Sequence, residues 1–216
     1  TPERFTRIAL SALNNTPELQ QCTPMSFIGA LLNAAQLDLE VNTPLGLAYL
    51  IPYKNKGQIE CQFQLGYKGM ITLAYRNPDI QTIQAQTVYE NDEFIFEYGL
   101  NPKLIHRPAV TDRGEPVYFY ALFKTIKGGY GYSCMSRQDM EAFAKKYSKA
   151  YASTFSPWNT NFEEMAKKTV IKQALKYAPI STELQRALST DETIKSKIEE
   201  NMVDAQNEMD YVEQAA

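Results

Sequence analysis

The sequence predicts an α+β fold, an antiparallel β-meander packed with helices and flanked by helical accessory segments at both ends. Three observations predict it. Before residue 46 the chain carries helix-start signals at Thr1-Pro2, Thr16-Pro17 and Thr23-Pro24. Between Leu47 and Cys134 it switches to short β-prone runs separated by Gly, Asn, Asp and Pro joints. From Ser136 onward apolar residues recur at helical spacing. With 216 residues, 44% of them hydrophobic, the chain can bury a full core. Composition divides it into an N-terminal helical segment (1–45), an α+β core (46–180) and an acidic helical tail (181–216).

The elements follow in order. Phe5, Ile8, Ala9, Ala12 and Leu13 form a helical stripe that stops at Asn14-Asn15, and Phe27, Ile28, Leu31, Leu32 and Ala35 form a second one after Thr23-Pro24. These pieces pack either on the chain's own sheet or on a neighbouring subunit. Runs at 47–53 and 59–65 flank Lys54-Asn55-Lys56-Gly57 and read as a hairpin with a basic turn. In Gln64-Leu65-Gly66-Tyr67-Lys68-Gly69 two glycines bracket Tyr-Lys at a strand-to-helix junction. That pattern has two readings: a close backbone approach to a phosphate at a helix start, or a tight turn. A helix through Met70, Ile71, Leu73, Ala74 and Tyr75 ends at Arg76-Asn77-Pro78. Five more strands are expected at 80–89, 94–98, 103–107, 117–126 and 130–134, with joints whose turn chemistry suits antiparallel neighbours.

Ser136-Arg137-Gln138-Asp139 has capping-box spacing and opens a helix with Met140, Phe143, Ala144, Tyr147 and Tyr151 on one stripe, leaving Lys145, Lys146 and Lys149 off it. The turn Ser156-Pro157-Trp158, with the only Trp, leads into a helix that ends before Pro179. Val170, Ile171, Ala174, Leu175 and Ala178 share an arc; Lys168, Lys172 and Lys176 follow at i, i+4, i+8 on the neighbouring stripe. Lys167 falls inside the apolar arc and must snorkel or find a partner. Like charges four residues apart weaken a helix slightly, so an anion accounts for the stripe better than helix stability does; the alternative is a solvated face. Past Pro179, Leu184, Leu188, Ile194, Ile198, Met202 and Val203 are a thin apolar supply for an accessory helix or two.

Net charge conceals an asymmetry. Residues 181–216 hold nine acids and three bases, whereas 124–180 hold ten bases and four acids. A basic block beside an acidic tail is a pattern of nucleic-acid proteins. Cys22, Cys61 and Cys134 are scattered without C-x-x-C spacing, which suggests neither a disulfide framework nor zinc. No G-x-x-x-x-G-K-[ST], G-x-S-x-G or H-E-x-x-H occurs, so no nucleotide cofactor is expected. No apolar run of about 18 residues is present, and no membrane partner is expected. His106 is the only histidine and reads as structural or phosphate-facing, since no second group for base catalysis adjoins it. The pairs Glu163-Glu164 and Asp191-Glu192 either hold Mg²⁺, which leaves a metal-dependent nuclease open, or offset helix dipoles at helix N-termini; the basic helices and acidic tail leave open a third function, a structural oligomer whose basic helices meet the next copy's acidic tail. The many tyrosines, Tyr118, Tyr120, Tyr130 and Tyr132 among them, suit a sheet or base stacking.

Gln64-Leu65-Gly66-Tyr67-Lys68-Gly69, then Val88-Tyr89-Glu90-Asn91-Asp92, then Ser156-Pro157-Trp158 followed by Glu164-Met165-Ala166-Lys167-Lys168-Thr169, resemble the RecT/Red beta family of phage recombinases over roughly residues 20–190. The resemblance implies an ATP-independent protein of the bacterial host cytoplasm. Such a protein coats single-stranded DNA, forms rings or helical filaments, and anneals complementary strands into duplex beside a partner 5′-to-3′ exonuclease. It also implies a C-terminal segment recruiting partners such as the host single-strand-binding protein. A basic helix pair forming a DNA groove is then expected. The candidate DNA contacts are Tyr67, Lys68, Arg76, Arg107, Arg137, Lys145, Lys146, Lys149, Trp158, Lys167, Lys168, Lys172 and Lys176. Backbone contacts from Lys and Arg neutralise strand repulsion and leave base edges free to pair.

Overall fold

The computed structural model describes residues 2–55, 57–148, 151–152, 156–191, 194–195 and 207–208. In chain order the elements are α1 (Pro2–Asn15), a 3₁₀ turn (Pro17–Gln21), α2 (Pro24–Gln36), β1 (Ala48–Asn55), β2 (Gln58–Leu65) and α3 (Tyr67–Ala74). Next come β3 (Ile80–Tyr89), β4 (Glu93–Glu97), β5 (Lys103–Arg107), β6 (Pro116–Thr125), β7 (Tyr130–Ser136) and α4 (Arg137–Tyr147). The chain continues with α5 (Pro157–Thr160), α6 (Phe162–Leu175), α7 (Thr182–Ser189), β8 (Ile194–Lys195) and β9 (Asn207–Glu208). The class is α+β with antiparallel strands. Residues 1–77 and 180–211 make one compact unit and 78–179 the other. Compaction thus groups the N-terminal helices and the start of the tail with the first hairpin, whereas composition alone sets boundaries at 45 and 180.

In the first unit β1 and β2 pair from Ala48↔Leu65 to Asn55↔Gln58, and Gly57 takes a left-handed φ of 87° in the turn. Helix α2 packs on this hairpin, and Ala30, Leu31, Ala34, Leu37, Leu50, Phe63 and Leu65 are fully buried around it. The buried face of α2 is offset from the expected stripe. Ser26, Ala30, Asn33 and Ala34 are inside, while Ile28 is 39% exposed. The small residues let the helix approach the hairpin closely, and Ser26 Oγ accepts a bond from Cys61 N (2.9 Å). On the other side of β1, Asn42 acts as a strand surrogate, its carboxamide accepting from Leu50 N (2.7 Å) and donating to Leu50 O (3.1 Å). The start of the tail belongs to this unit. Ser181 Oγ caps α7 through Leu184 N (3.2 Å), Leu184 and Ala187 are buried, α7 lies on α3, and Asp191 Oδ1 accepts from Leu65 N (2.8 Å).

The second unit departs from a simple meander. β3 pairs with β6 and β6 with β7, all antiparallel, while β4 and β5 form a separate hairpin. Alternation along β6 explains the arrangement. Phe119, Ala121 and Phe123 face α6, where Phe119 meets Phe162 at 5.8 Å. Tyr118 and Tyr120 point the other way and receive Phe94 of β4 at 5.5 and 5.6 Å. Phe96 meets Tyr118 at 5.6 Å and Tyr98 stacks on Tyr132 at 5.3 Å, so the hairpin covers sheet aromatics instead of extending the sheet.

Asp92 makes the corner. Its fully buried carboxylate accepts from Tyr89 N (2.9 Å), Ala109 N (2.9 Å) and the Arg113 guanidinium (2.6 and 2.9 Å), and it meets His106 Nε2 at 3.0 Å. Four segments are thereby tied at the point where β4 leaves the sheet. The Arg113 guanidinium holds the Asp92 carboxyl far below the ordinary carboxylate value, against the opposing effect of burial. His106 also meets Tyr120 OH at 3.2 Å, which gives the lone histidine a structural place.

Candidate nucleic-acid interface

The candidate residues of the first unit sit on α3 and just after it. Gly66 and Gly69 are required by the backbone behind them: a Cβ on Gly66 would lie 2.1 Å from Gly46 O, and one on Gly69 would lie 2.0 Å from Leu47 O. This close packing, with Gly66 N bonded to Leu47 O (2.9 Å), is the tight-turn reading of the motif. It leaves Lys68 exposed at the first turn, its Nζ 6.0 Å from the Tyr67 ring centroid. Arg76 is exposed and reaches Asp38 O at 3.4 Å.

The second unit holds the larger cationic set. Ser136 Oγ accepts from Asp139 N (3.1 Å), as the capping-box spacing predicts, and starts α4. Lys145 and Lys146 occupy its last turn and are exposed, each beside a tyrosine ring: Lys145 is 5.9 Å from Tyr151 and Lys146 is 4.9 Å from Tyr147. Cations at a helix C-terminus also offset the helix dipole, so these side chains have a local stabilising role as well. A hydrogen bond to Tyr147 raises the Lys146 pKa. Arg137 pairs with Glu141 (3.2 Å) and Glu115 (3.5 Å), and Arg107 with Glu93 across the β4–β5 hairpin (2.8 Å). Both arginines are exposed ion-pair members. Lys149 lies outside the described residues.

On α6 the lysines differ from one another. Lys176 is exposed and Lys172 half-buried, but Lys168 is only 4% exposed. Its expected place beside the apolar arc is corrected by the packing. Ala166, Lys168, Thr169, Val170, Ile171, Ala174 and Leu175 are all buried, so α6 is covered on more than the one face that the periodicity marks. Lys167 takes the predicted course of a lysine that needs a partner, lying 3.6 Å from Glu164 and 4.0 Å from Glu163. Trp158 is likewise inside, 6% exposed and edge-on to Phe162 at 5.7 Å, with Ser156 Oγ accepting from its backbone N–H. It anchors the start of α6; the exposed stacking face of a base-binding residue is not what the packing leaves it.

Sequence reading missed the network joining the Asp92 corner to α6. Glu163 accepts from Thr87 Oγ1 (2.9 Å) and Tyr89 OH (3.2 Å), and the Arg113 guanidinium lies 4.2 Å from the Tyr89 ring centroid. Burial, then the Glu163 charge, raises the Tyr89 hydroxyl pKa. The available signal was the Tyr89 to Asp92 spacing at a strand end; Arg113, twenty-one residues after Asp92, carried none. Among the described residues no group of three or more His, Cys, Asp and Glu is placed to hold a metal ion. Among the same residues no helix is long and apolar enough to cross a membrane.

The described residues form an α+β scaffold that exposes lysines at the ends of two helices. The chain belongs to the RecT family, whose model matches residues 3–206. It is 43% identical over 196 residues to Protein RecT of Escherichia coli K12, covering 89% of this chain and 72% of that protein. It is 32% identical over 198 residues to the uncharacterized protein YqaK of Bacillus subtilis 168, covering 91% of this chain and 66% of the relative.

Proposed function

We propose that this chain binds single-stranded DNA and anneals complementary strands without ATP, in recombination in the cytoplasm of a bacterial host. The observation that carries the reading is the lysine set at the ends of α4 and α6, with Lys145, Lys146 and Lys176 exposed and Lys172 half-buried, in a RecT-family chain. Lysines that replace counterions on two strands remove the repulsion between them, and contacts to phosphate leave the bases free to pair. Lys68, Arg76, Arg107 and Arg137 add exposed cations, while Lys167 serves once released from its glutamates. Lys168 and Trp158 act from inside, by setting the position of α6. The protein works as a ring or filament on strands left by a partner exonuclease and hands annealed duplex on beside the host single-strand-binding protein. The outward apolar side chains Leu10 (57% exposed), Met25 (46%) and Ile28 support self-association.

The test is annealing of complementary oligonucleotides in EDTA with no nucleotide present. Faster annealing than without protein, falling steeply with salt, is expected. A requirement for ATP refutes the reading, and strand cleavage restored by a divalent metal would put the nuclease in its place.

A further inference from the structure

The scattered cysteines do not stay scattered. After the 3₁₀ turn the chain runs along the side of β2 away from β1, with Thr23 N bonded to Ile59 O (2.9 Å) and Cys61 N bonded to Ser26 Oγ (2.9 Å). This brings the segment carrying Cys22, 8% exposed, alongside Cys61, fully buried, and both thiols are free. Neither has a part in the DNA reading above.

We propose that Cys22 and Cys61 form an oxidisable dithiol that a peroxide closes into an intramolecular disulfide, stapling the 3₁₀ turn to β2. The roles are unequal. The hydrogen bond from Cys61 draws the Cys22 thiol below its ordinary pKa, while the same bond and burial push Cys61 well above. Cys22, the slightly exposed member, is the nucleophile. Its thiolate attacks one oxygen of hydrogen peroxide, the O–O bond breaks, and hydroxide leaves, taking up the thiol proton as water. The Cys61 sulfur then attacks the Cys22 sulfenic sulfur; the S–O bond breaks, and the departing hydroxyl takes the Cys61 proton as a second water. Two thiols and one peroxide thus give one disulfide and two waters. Reduction by a dithiol reverses it. Cys134, whose thiol burial pushes up to about 12, belongs to the other unit and is an internal control.

The experiment treats the reduced full chain with hydrogen peroxide, quenches with catalase, unfolds it in guanidinium with N-ethylmaleimide, and maps the cysteine peptides by mass. The expected product is a Cys22–Cys61 cross-linked peptide with Cys134 alkylated, and a thermal midpoint higher by roughly 5–15 °C that dithiothreitol restores. Cys61→Ala should leave Cys22 as a sulfenic acid that dimedone traps, with Cys61→Ser as the variant if alanine loosens the core. Alkylation of all three thiols, a cross-link through Cys134, or sulfinic acid on Cys22 in the unsubstituted chain with Cys61 still alkylated would each overturn the proposal.

Discussion

Replacing Asp92 by Asn is the sharpest probe of how the second unit holds together. The wild-type carboxylate is fully buried and serves two backbone N–H groups, two guanidinium N–H groups and the His106 ring. An amide of the same shape keeps one acceptor oxygen and turns an NH₂ toward donors, leaving the Arg113 charge without its counterion. The Arg113 side chain is 37% exposed, so water meets part of its charge, and the cost is that of the hydrogen bonds lost at the buried Asp92 position, about 1–3 kcal/mol. For a unit of about 100 residues, each kcal/mol moves the midpoint by about 4–8 °C, so a fall of roughly 4 °C or more is expected at neutral pH. The pH dependence carries a sign. The folded-state pKa of Asp92 lies below its unfolded value, so its contribution is complete above that value, about 4, and fades as pH falls further. Wild type should therefore keep its advantage over Asp92→Asn from about pH 7 down to about 4 and lose part of it progressively from there toward about 2.5. Circular dichroism melts of both chains across that range measure it. A difference below about 1 kcal/mol at pH 7, or a gap that stays constant into acid, would refute the assignment of Asp92 as a charged hub.

The remaining predictions separate packing from DNA contact. Lys176→Ala should leave stability within about 0.5 kcal/mol and lower DNA affinity equally for all sequences, reducing the salt slope by about one. Lys168→Ala should instead destabilise by about 1–3 kcal/mol, less in Lys168→Met, which keeps the aliphatic stem; melts and salt titrations side by side distinguish the two lysines. Gly69→Ala should cost about 3 kcal/mol through its clash with Leu47 O while the folded fraction still binds DNA. Intact stability with lost binding would return the phosphate-cradle reading of that motif.

By itself the sequence determined the α+β class, both hairpins' strands, the cap at Ser136 and the cationic character of 124–180, because each rests on local chemistry: turn residues, capping geometry, side-chain period and charge. The two glycines of the Gly66–Gly69 junction were legible as a constraint, but not which atoms imposed it; that is the backbone of Gly46 and Leu47. Pairing β3 with β6 instead of β4 depends on the long-range Asp92 corner and on Phe94 and Phe96 finding Tyr118 and Tyr120. Periodicity marks one buried face per helix, so it set Lys168 on a cationic stripe beside the apolar arc and the α2 stripe on Phe27, Ile28 and Leu31; packing on more than one side buried Lys168, and in α2 the buried face keeps Leu31 but shifts onto the small residues Ser26, Gly29, Ala30 and Ala34. The nearness of Cys22 and Cys61 was decided the same way, since residues 39 positions apart meet only when a chain folds back along a strand edge, and no local pattern records that.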